Sequence, residues 1–396
     1  MNKRRKYSLI IAFAIMLAGL FTYGYQLREG LIVTDMSNLF PWGLYVSALA
    51  FFVGNAAGGL VLSASVYMFG ITKLKPFAKI GALTAFANVT AAMLIVIPDI
   101  GQPLRLWHIL RYPQFSSPLA WDVFVLSAYA VLTIVYLYIL MLPDLKGPGM
   151  KELSEKLAKR IAPIALVFAI GIHVVTAWIF STQMGREWWF TAALAPDFLA
   201  VAVFVGTTVV LMASVLLYGI KDQYKEGYSI LVKIITAMFF VHLFLMYNDF
   251  FIKAWYGAES ATHVFNILMD SILIHIFEVL APLLAIILLN SKVRNSVSGV
   301  VVSGVILMAG VFAHRFLIMP PAFNAIPLTI KPLGFIDTYW SYPIATGRYV
   351  EGVSTIADYW NYSPTWVEFT LLSGVIAYMY FVVALGVSIL PVKKED

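Results

Sequence analysis

The segment 98–122 reads PDIGQPLRLWHILRYPQFSSPLAWD and gathers two aspartates, two arginines and one histidine between two apolar runs. Carboxylates and imidazoles can exchange protons, and arginines can pair with acids. This concentration is unusual because only 12% of the 396 residues are charged. Four prolines divide the segment into rigid pieces, and LRLWHIL predicts a short helix at the membrane interface.

Other ionisable residues lie inside the apolar runs, where inserting a charge costs about 2.5–3.5 kcal/mol and usually has a functional reason. They are Asp122, His173, Asp197, His242, Asp249, Lys253, Asp270, His275, Glu278 and Glu368. An acid at the start of a helix, such as Asp197, is equally well explained by the helix dipole. His173 lies about 18 Å into its run, so it is the stronger candidate. The alternative for His173 is a structural ring that bonds a carbonyl or hydroxyl group.

Haem and metal ions are disfavoured by the same residues. His173 and His242 lie at similar depths, which would suit a b-type haem, but the histidines inside the runs show no repeated pairing. The sequence contains no cysteine and therefore no thiolate for an iron–sulfur cluster or a zinc site. We expect no haem, no iron–sulfur cluster and no metal site in this protein.

Ten apolar runs of about 20 residues must position these groups. With 61% hydrophobic residues and a mean hydropathy of +0.85, the chain is predicted to be an all-α integral membrane protein with ten transmembrane helices in a single domain, 1–396. The runs are Ser8–Gln26, Trp42–Gly70, Phe77–Pro98, Leu119–Leu142, Ile161–Thr182, Asp197–Tyr218, Leu231–Tyr256, Phe265–Leu289, Val297–Leu317 and Trp366–Leu390. The first run lacks a cleavage motif, so we expect a retained helix rather than a signal peptide. The small residues of GNAAGGLVLSAS predict close helix packing around Asn55.

The distribution of basic residues predicts the orientation in the cytoplasmic membrane. Of the 27 lysines and arginines, 19 fall at the N-terminus and the even-numbered helix exits, and 8 fall on the other side. Basic residues mark cytoplasmic loops, so both termini are expected in the cytoplasm. The segment 98–122 and a long loop, 318–365, then lie on the extracytoplasmic side.

Four stretches together resemble one family of membrane proteins. They are PDIGQPLRLWHILRYPQFSSPLAWD, GIHVVTAWIF with REWWFTAALAPDFLA, YNDFFIKAWYG, and NYSPTWVEF before the last helix. This combination is similar to the NrfD/PsrC family, the membrane subunits of polysulfide-reductase-like respiratory complexes, and specifically to its ten-helix branch. The segment REWWFTAALAPDF departs from a common family pattern, which weakens the transfer of roles to Arg186 and Trp188.

The resemblance implies a first four-helix bundle over 42–182, a second over 197–317, and flanking helices 1 and 10. It also implies a menaquinone (or other quinone) site in the first bundle, next to a periplasmic ferredoxin-like subunit with [4Fe–4S] clusters. Asp122 and His173 are the expected catalytic residues. The expected binding residues are Tyr45, Asn55, Arg105, His108, Trp121 and Asp197.

On this reading, His173 takes one proton from a quinol and Asp122, or a water it holds, takes the other. Run backwards, the same groups protonate a reduced quinone, so the sequence leaves the direction open. Two alternatives also remain open. One is a secondary transporter without quinone chemistry. The other adds a proton path through the second bundle, with Asp249, Lys253, His275 and Glu278.

Overall fold

The computed structural model describes residues 3–37, 40–186, 188–255, 265–266, 268–323, 329–330, 340–341 and 362–393. These residues are almost entirely helical, and two short antiparallel strands, β1 (Thr329–Ile330) and β2 (Trp340–Ser341), pair with each other. The predicted all-α class is therefore confirmed. Most of the predicted loop 318–365 lies outside the described residues.

The long helices are continuous stretches of apolar residues bounded by glycine, proline and polar residues, and two short helices lie beside them. They are α1 (Lys3–Glu29), α2 (Leu44–Phe69), α3 (Ala78–Val96), α4 (Trp107–Arg111), α5 (Pro118–Lys146), α6 (Lys151–Ser181), α7 (Leu194–Tyr218), α8 (Asp222–Trp255), α9 (Ile272–Leu289), α10 (Val297–Phe316), α11 (Pro320–Phe323) and α12 (Trp366–Ile389). All except the short α4 and α11 are long and apolar enough to cross a membrane, so the described part of the chain contains ten candidate spans, as predicted. The helix α4 was also predicted.

Two helices begin earlier than the hydropathy predicted. The helix α6 starts at Lys151 rather than Ile161, and α8 starts at Asp222 rather than Leu231. Their first turns are rich in lysine and glutamate, which favour helix but do not enter a bilayer. Hydropathy detects only the part of a helix that suits the membrane, so these polar first turns were missed.

The helix α2 lies at the centre of the molecule and packs against α3, α6 and α7. A side chain added at Gly58 would lie only 2.5 Å from the Cα atom of Gly206 in α7, so these two backbones are almost in contact. Such small residues are typical of close helix pairs in membranes. The pairs α5 with α6, α7 with α8 and α9 with α10 also pack together, which is compatible with two bundles.

The first and last helices form a separate pair that leans on α3. Gly19 of α1 and Gly374 of α12 face each other, and a Cβ atom at either one would lie 3.0 Å from the other's Cα atom. The connection that follows α1 is tied to the start of α12 by Glu368, which accepts hydrogen bonds from the backbone N–H groups of Asp35 (3.2 Å) and Thr365 (2.9 Å).

One end of the bundle, here called the loop face, is formed by residues 30–37, 40–43, 97–117, 182–186 and 188–193. Indole nitrogens tie one of these segments to the residues just after α10: Trp188 donates to the carbonyl of Leu317 at 3.0 Å, and Trp189 donates to that of Ile318 at 2.6 Å. The beginning of the predicted loop 318–365 is consequently buried beneath residues 188–189 instead of extending into solvent.

Candidate functional site

His173 is fully buried in α6, and its orientation is fixed by the helix itself. Its Nδ1 atom lies 3.0 Å from the carbonyl oxygen of Ala169, one turn earlier. A carbonyl can only accept a hydrogen bond, so Nδ1 carries the hydrogen. In the neutral ring Nε2 then presents a lone pair, and this atom has no hydrogen-bond partner among the described residues. His173 is thus a buried base whose reactive nitrogen is free.

Asp122, near the start of α5, is brought to the same face of α6. Its Oδ1 atom lies 2.5 Å from the hydroxyl oxygen of Thr176, which also lies 2.7 Å from the carbonyl oxygen of Ile172. Thr176 follows His173 by three residues, and residues at that spacing share one side of a helix. The structure therefore places both predicted catalytic side chains along one side of α6.

Asn55 is fully buried in α2, the helix that packs against both α6 and α7. Neither its amide nitrogen nor its amide oxygen has a hydrogen-bond partner within the described part of the molecule. A buried polar atom without a partner costs about 1–3 kcal/mol, and most such atoms in proteins are paired with protein or water. Asn55 can therefore both donate to and accept from a bound group.

Arg315, one of the eight basic residues that the sequence assigns to the extracytoplasmic side, is a buried cation. It lies in the last turn of α10, fully buried, with its guanidinium 3.9 Å from the ring centre of Phe198. Its Nε and Nη1 atoms lack partners in the described residues, and it lies within electrostatic range of both His173 and Asp197. The signal available in the sequence was an arginine inside the apolar run VFAHRFLIM.

Tyr45, a predicted binding residue, is used to join helices. Its hydroxyl donates to the Oε1 atom of Gln26 at 2.6 Å, and the Nε2 atom of Gln26 donates to the carbonyl of Pro98 at 2.6 Å. This series of bonds fixes α1, α2 and the beginning of the segment 98–122 to one another. The hydroxyl of Tyr45 is therefore already hydrogen-bonded to Gln26.

Three other predicted binding residues, Arg105, His108 and Trp121, are exposed at the loop face. The indole of Trp121 is 47% exposed and donates to the carbonyl of Phe115 at 2.8 Å. These side chains do not converge with the buried His173. Their proximity in sequence suggested a common site, whereas the helices direct them to the surface.

Asp197 belongs to a second group of ionisable residues, here called the polar cluster: Asp197, His242, His275, Glu278 and His314. Its Oδ1 atom lies 2.6 Å from Nδ1 of His242, and its Oδ2 atom lies 3.4 Å from Nε2 of His314. Glu278 bonds His275 and, at 3.1 Å, Nδ1 of His314. Sequence reasoning missed His314, and it did not anticipate that α7, α8, α9 and α10 bring these five residues together.

Comparison with known proteins finds that residues 32–327 match the family model described as polysulphide reductase, NrfD. The Hdr-like menaquinol oxidoreductase integral membrane subunit of Archaeoglobus fulgidus is 27% identical, over 98% of this protein and 94% of the relative. The polysulfide reductase C subunit of Wolinella succinogenes is 23% identical, over 72% and 95%. The menaquinone reductase integral membrane subunit of Nitratidesulfovibrio vulgaris is 22% identical, over 99% and 93%.

Proposed function

The chain belongs to the NrfD, or polysulphide reductase, family, and from this membership we propose that it is the quinone-binding membrane subunit of a respiratory oxidoreductase. In this role it exchanges electrons between a menaquinone pool and an extracytoplasmic iron–sulfur partner. The names of two relatives refer to menaquinol or menaquinone, and those of all three refer to parts of a reductase or oxidoreductase. The observation that carries the proposal is the free Nε2 atom of the buried His173.

The buried polar atoms near α6 fit a quinone head group. Such a head group is an apolar ring with two oxygens, each of which needs a hydrogen-bond partner. His173, Asn55 and Arg315 all have buried polar atoms without partners in the described part of the molecule. These residues would hold the head group, and binding would recover the cost of leaving their polar atoms unpaired. A bound quinone supplies two-electron chemistry that releases or takes up two protons.

His173 and Asp122 are the groups that would handle those protons. The hydrogen bond from Nδ1 to Ala169 aims the lone pair of Nε2 away from its own helix turn, ready to accept a proton. Asp122 can exchange a proton with the hydroxyl of Thr176, at 2.5 Å. General acid–base groups of this kind contribute roughly 10²–10⁴-fold to rates.

The loop face supplies a surface for the partner. Leu104, Trp107 and Tyr112 are largely exposed there, together with Arg105 and Arg111. Aromatic residues and arginine are enriched in protein interfaces. The sequence has no cysteine, so electrons must continue through clusters held by another protein, for which a ferredoxin-like [4Fe–4S] subunit is suited. The excess of basic residues on the opposite side supports placing the loop face outside the cytoplasm.

The experiment is photolabelling of the intact complex with an azido-menaquinone analogue, followed by peptide mapping. We expect label on peptides from α2 and α6, with competition by excess menaquinone. A photoreactive crosslinker at position 107 should in parallel capture the iron–sulfur subunit, whereas one at Phe244, an exposed position inside α8, should not. Label confined to lipid-facing residues of α1 and unaffected by competitor would contradict the quinone site.

A secondary transporter would give a different result. The complex would then catalyse solute exchange in vesicles and would show no menaquinol-dependent reduction of the iron–sulfur clusters. Quinol-dependent cluster reduction without solute exchange decides for the proposed function.

A further inference from the structure

Three metal-binding atoms converge in the polar cluster. One carboxylate oxygen of Asp197 and one ring nitrogen each of His242 and His314 lie within 4.8 Å of one another. They come from three different long helices, α7, α8 and α10, which hold them in place. We propose that this cluster is a binding site for a divalent transition-metal ion of the zinc type.

The spacing is close to what such an ion needs. Zinc binds imidazole nitrogen and carboxylate oxygen at about 2.0–2.2 Å, so tetrahedral ligand atoms lie roughly 3.3 Å apart. The Asp197 oxygens already lie 2.6 Å from the His242 nitrogen and 3.4 Å from the His314 nitrogen. Only small side-chain adjustments would place all three ligands around one ion.

A second observation, the bond from His314 to Glu278, points to a cation at the same place. The carboxylate of Glu278 accepts a hydrogen bond from Nδ1 of His314 at 3.1 Å, so Nδ1 carries a hydrogen. The buried Nε2 atom then faces Asp197 without a hydrogen-bond partner in the described residues. A carboxylate behind a ligating histidine is the usual arrangement at metal centres.

An Nε2 atom that faces a carboxylate can be stabilised in two ways. Either a proton binds to that nitrogen, or a metal ion lies between the two groups. They compete for the same position, because a ligating histidine must give up the proton on the nitrogen that binds the metal. Metal binding at the polar cluster should therefore release a proton and weaken as the pH falls.

The donor atoms favour zinc-type ions over magnesium or calcium. Two ring nitrogens and one carboxylate are ligands that zinc accepts, whereas magnesium and calcium prefer oxygen ligands alone. Arg315 is within electrostatic range of Asp197 and Glu278, so it offsets part of their negative charge. The cation Lys253 is paired with Asp249 at 2.8 Å. The positive charge of Arg315 repels every divalent ion alike, so the preference for zinc comes from the donor atoms.

The cluster is reachable from the loop face. A cleft of about 70 Å³ is lined by Asp197, Glu278 and His314 on the inside and by Trp188 and Thr191 at the loop face. An ion can therefore enter from the aqueous phase on that side without crossing the apolar part of the bundle.

The test uses the purified full-length protein, carrying an affinity tag that does not bind metals. Because the sequence has no cysteine, any tightly bound zinc must have nitrogen or oxygen ligands. We expect one Zn²⁺ per molecule by equilibrium dialysis. X-ray absorption should show two imidazole ligands at about 2.0–2.1 Å. The visible spectrum of bound Co²⁺ should be abolished by adding zinc, and zinc affinity should be lower at pH 6 than at pH 8.

Three ligand variants, Asp197→Asn, His242→Gln and His314→Gln, should each lower zinc affinity by at least about 10–100-fold. Glu278→Gln should lower it within that range, because it loosens the orientation of His314. His108→Gln is the matched control and should bind zinc like the wild type. Size-exclusion profiles identify any variant that fails to fold.

The outcome is independent of quinone chemistry. A wild-type protein that binds no stoichiometric zinc at micromolar free metal would overturn the proposal. An X-ray absorption spectrum without imidazole ligands would also overturn the proposal, and this measurement needs only the wild-type protein. Loss of zinc in His108→Gln, with full binding in His314→Gln, would assign the metal to the surface and also refute the site.

Discussion

Thr176 and Asp122 share a proton position across the α5–α6 contact: the hydroxyl oxygen lies 2.5 Å from Oδ1 of the carboxyl group. The same hydroxyl lies 2.7 Å from the carbonyl of Ile172 and has only one hydrogen. If Asp122 is ionised, Thr176 donates to it. If Asp122 is protonated, it donates to Thr176, which then donates to Ile172. The contact between Asp122 and Thr176 keeps a hydrogen bond in both states, so Asp122 can gain or lose a proton without losing this link between α5 and α6.

Asp122→Asn removes this exchange but keeps a polar side chain of the same size. We expect the complex to assemble and quinol oxidation to fall roughly 10²–10⁴-fold. Assembly is checked by size exclusion and turnover by cluster reduction with menaquinol. Unchanged turnover in an assembled complex would remove Asp122 from the proton pathway.

His173→Ala should lower quinol oxidation by a similar factor, roughly 10²–10⁴-fold. His173→Gln can still form a hydrogen bond but cannot titrate, so it should keep quinone affinity better than turnover. The double variant with Asp122→Asn should be little slower than either single variant, because groups that act on one quinol are not additive. Equal turnover in His173→Gln and wild type would exclude His173 as the base.

Arg315→Met removes the buried cation that lies within electrostatic range of Asp197 and Glu278. Because it leaves two buried carboxylates less compensated, we expect a loss of about 1–3 kcal/mol in the free energy of unfolding. The matched change Arg105→Met, at the exposed loop face, should stay within about 0.5 kcal/mol. Thermal denaturation in detergent measures both. Equal stabilities would mean that Arg315 has no electrostatic role in the fold.

Gly58→Ala should weaken the contact between α2 and α7, because its Cβ atom would lie 2.5 Å from the Cα atom of Gly206. The backbones must then move apart, and overpacking of this kind costs about 1–3 kcal/mol. Gly171→Ala in α6 is the control, since no atom lies within 4 Å of the added carbon. That change should be neutral or stabilising by up to about 1 kcal/mol. We therefore expect Gly58→Ala to lower the melting temperature and Gly171→Ala to leave it unchanged or raise it. Equal shifts in the two variants would contradict the close contact.

Tyr362 should make the stability of the folded protein depend on pH in the alkaline range. Its buried hydroxyl donates to Glu368 and accepts from the N–H of Leu44 at 2.7 Å, and burial raises its pKa above the ordinary value of about 10. The folded protein keeps this proton when the unfolded chain has lost it. The stabilisation is therefore complete below about pH 10 and declines above it.

Tyr362→Phe should accordingly reduce the fall in melting temperature between pH 9 and pH 11. Tyr112→Phe, at an exposed position, should fall like the wild type. Identical slopes in all three proteins would show that Tyr362 does not contribute to the pH dependence.

The number of spans could be predicted because a bilayer imposes its own length on each apolar run. The rotation of each helix could not, because it depends on how all the helices pack together. His314 and Arg315 are consecutive residues, and nothing in the sequence indicates that one joins Asp197 in the polar cluster while the other lies over Phe198. Conversely, the segment around α4 is rich in polar residues, yet it carries Arg105 and His108 at the surface.

The pairing of α1 with α12 also bears on how the protein is made. At about 5–20 residues per second, the roughly 340 residues between these helices take about 20–70 s to synthesise. During that time the side of α1 that carries Gly19 has lipid or a chaperone as its neighbour. The hydrogen bonds that Glu368 accepts from the backbone N–H groups of Asp35 and Thr365 form only after the ribosome has made α12. The α1–α12 pair is therefore one of the last parts of the protein to be completed.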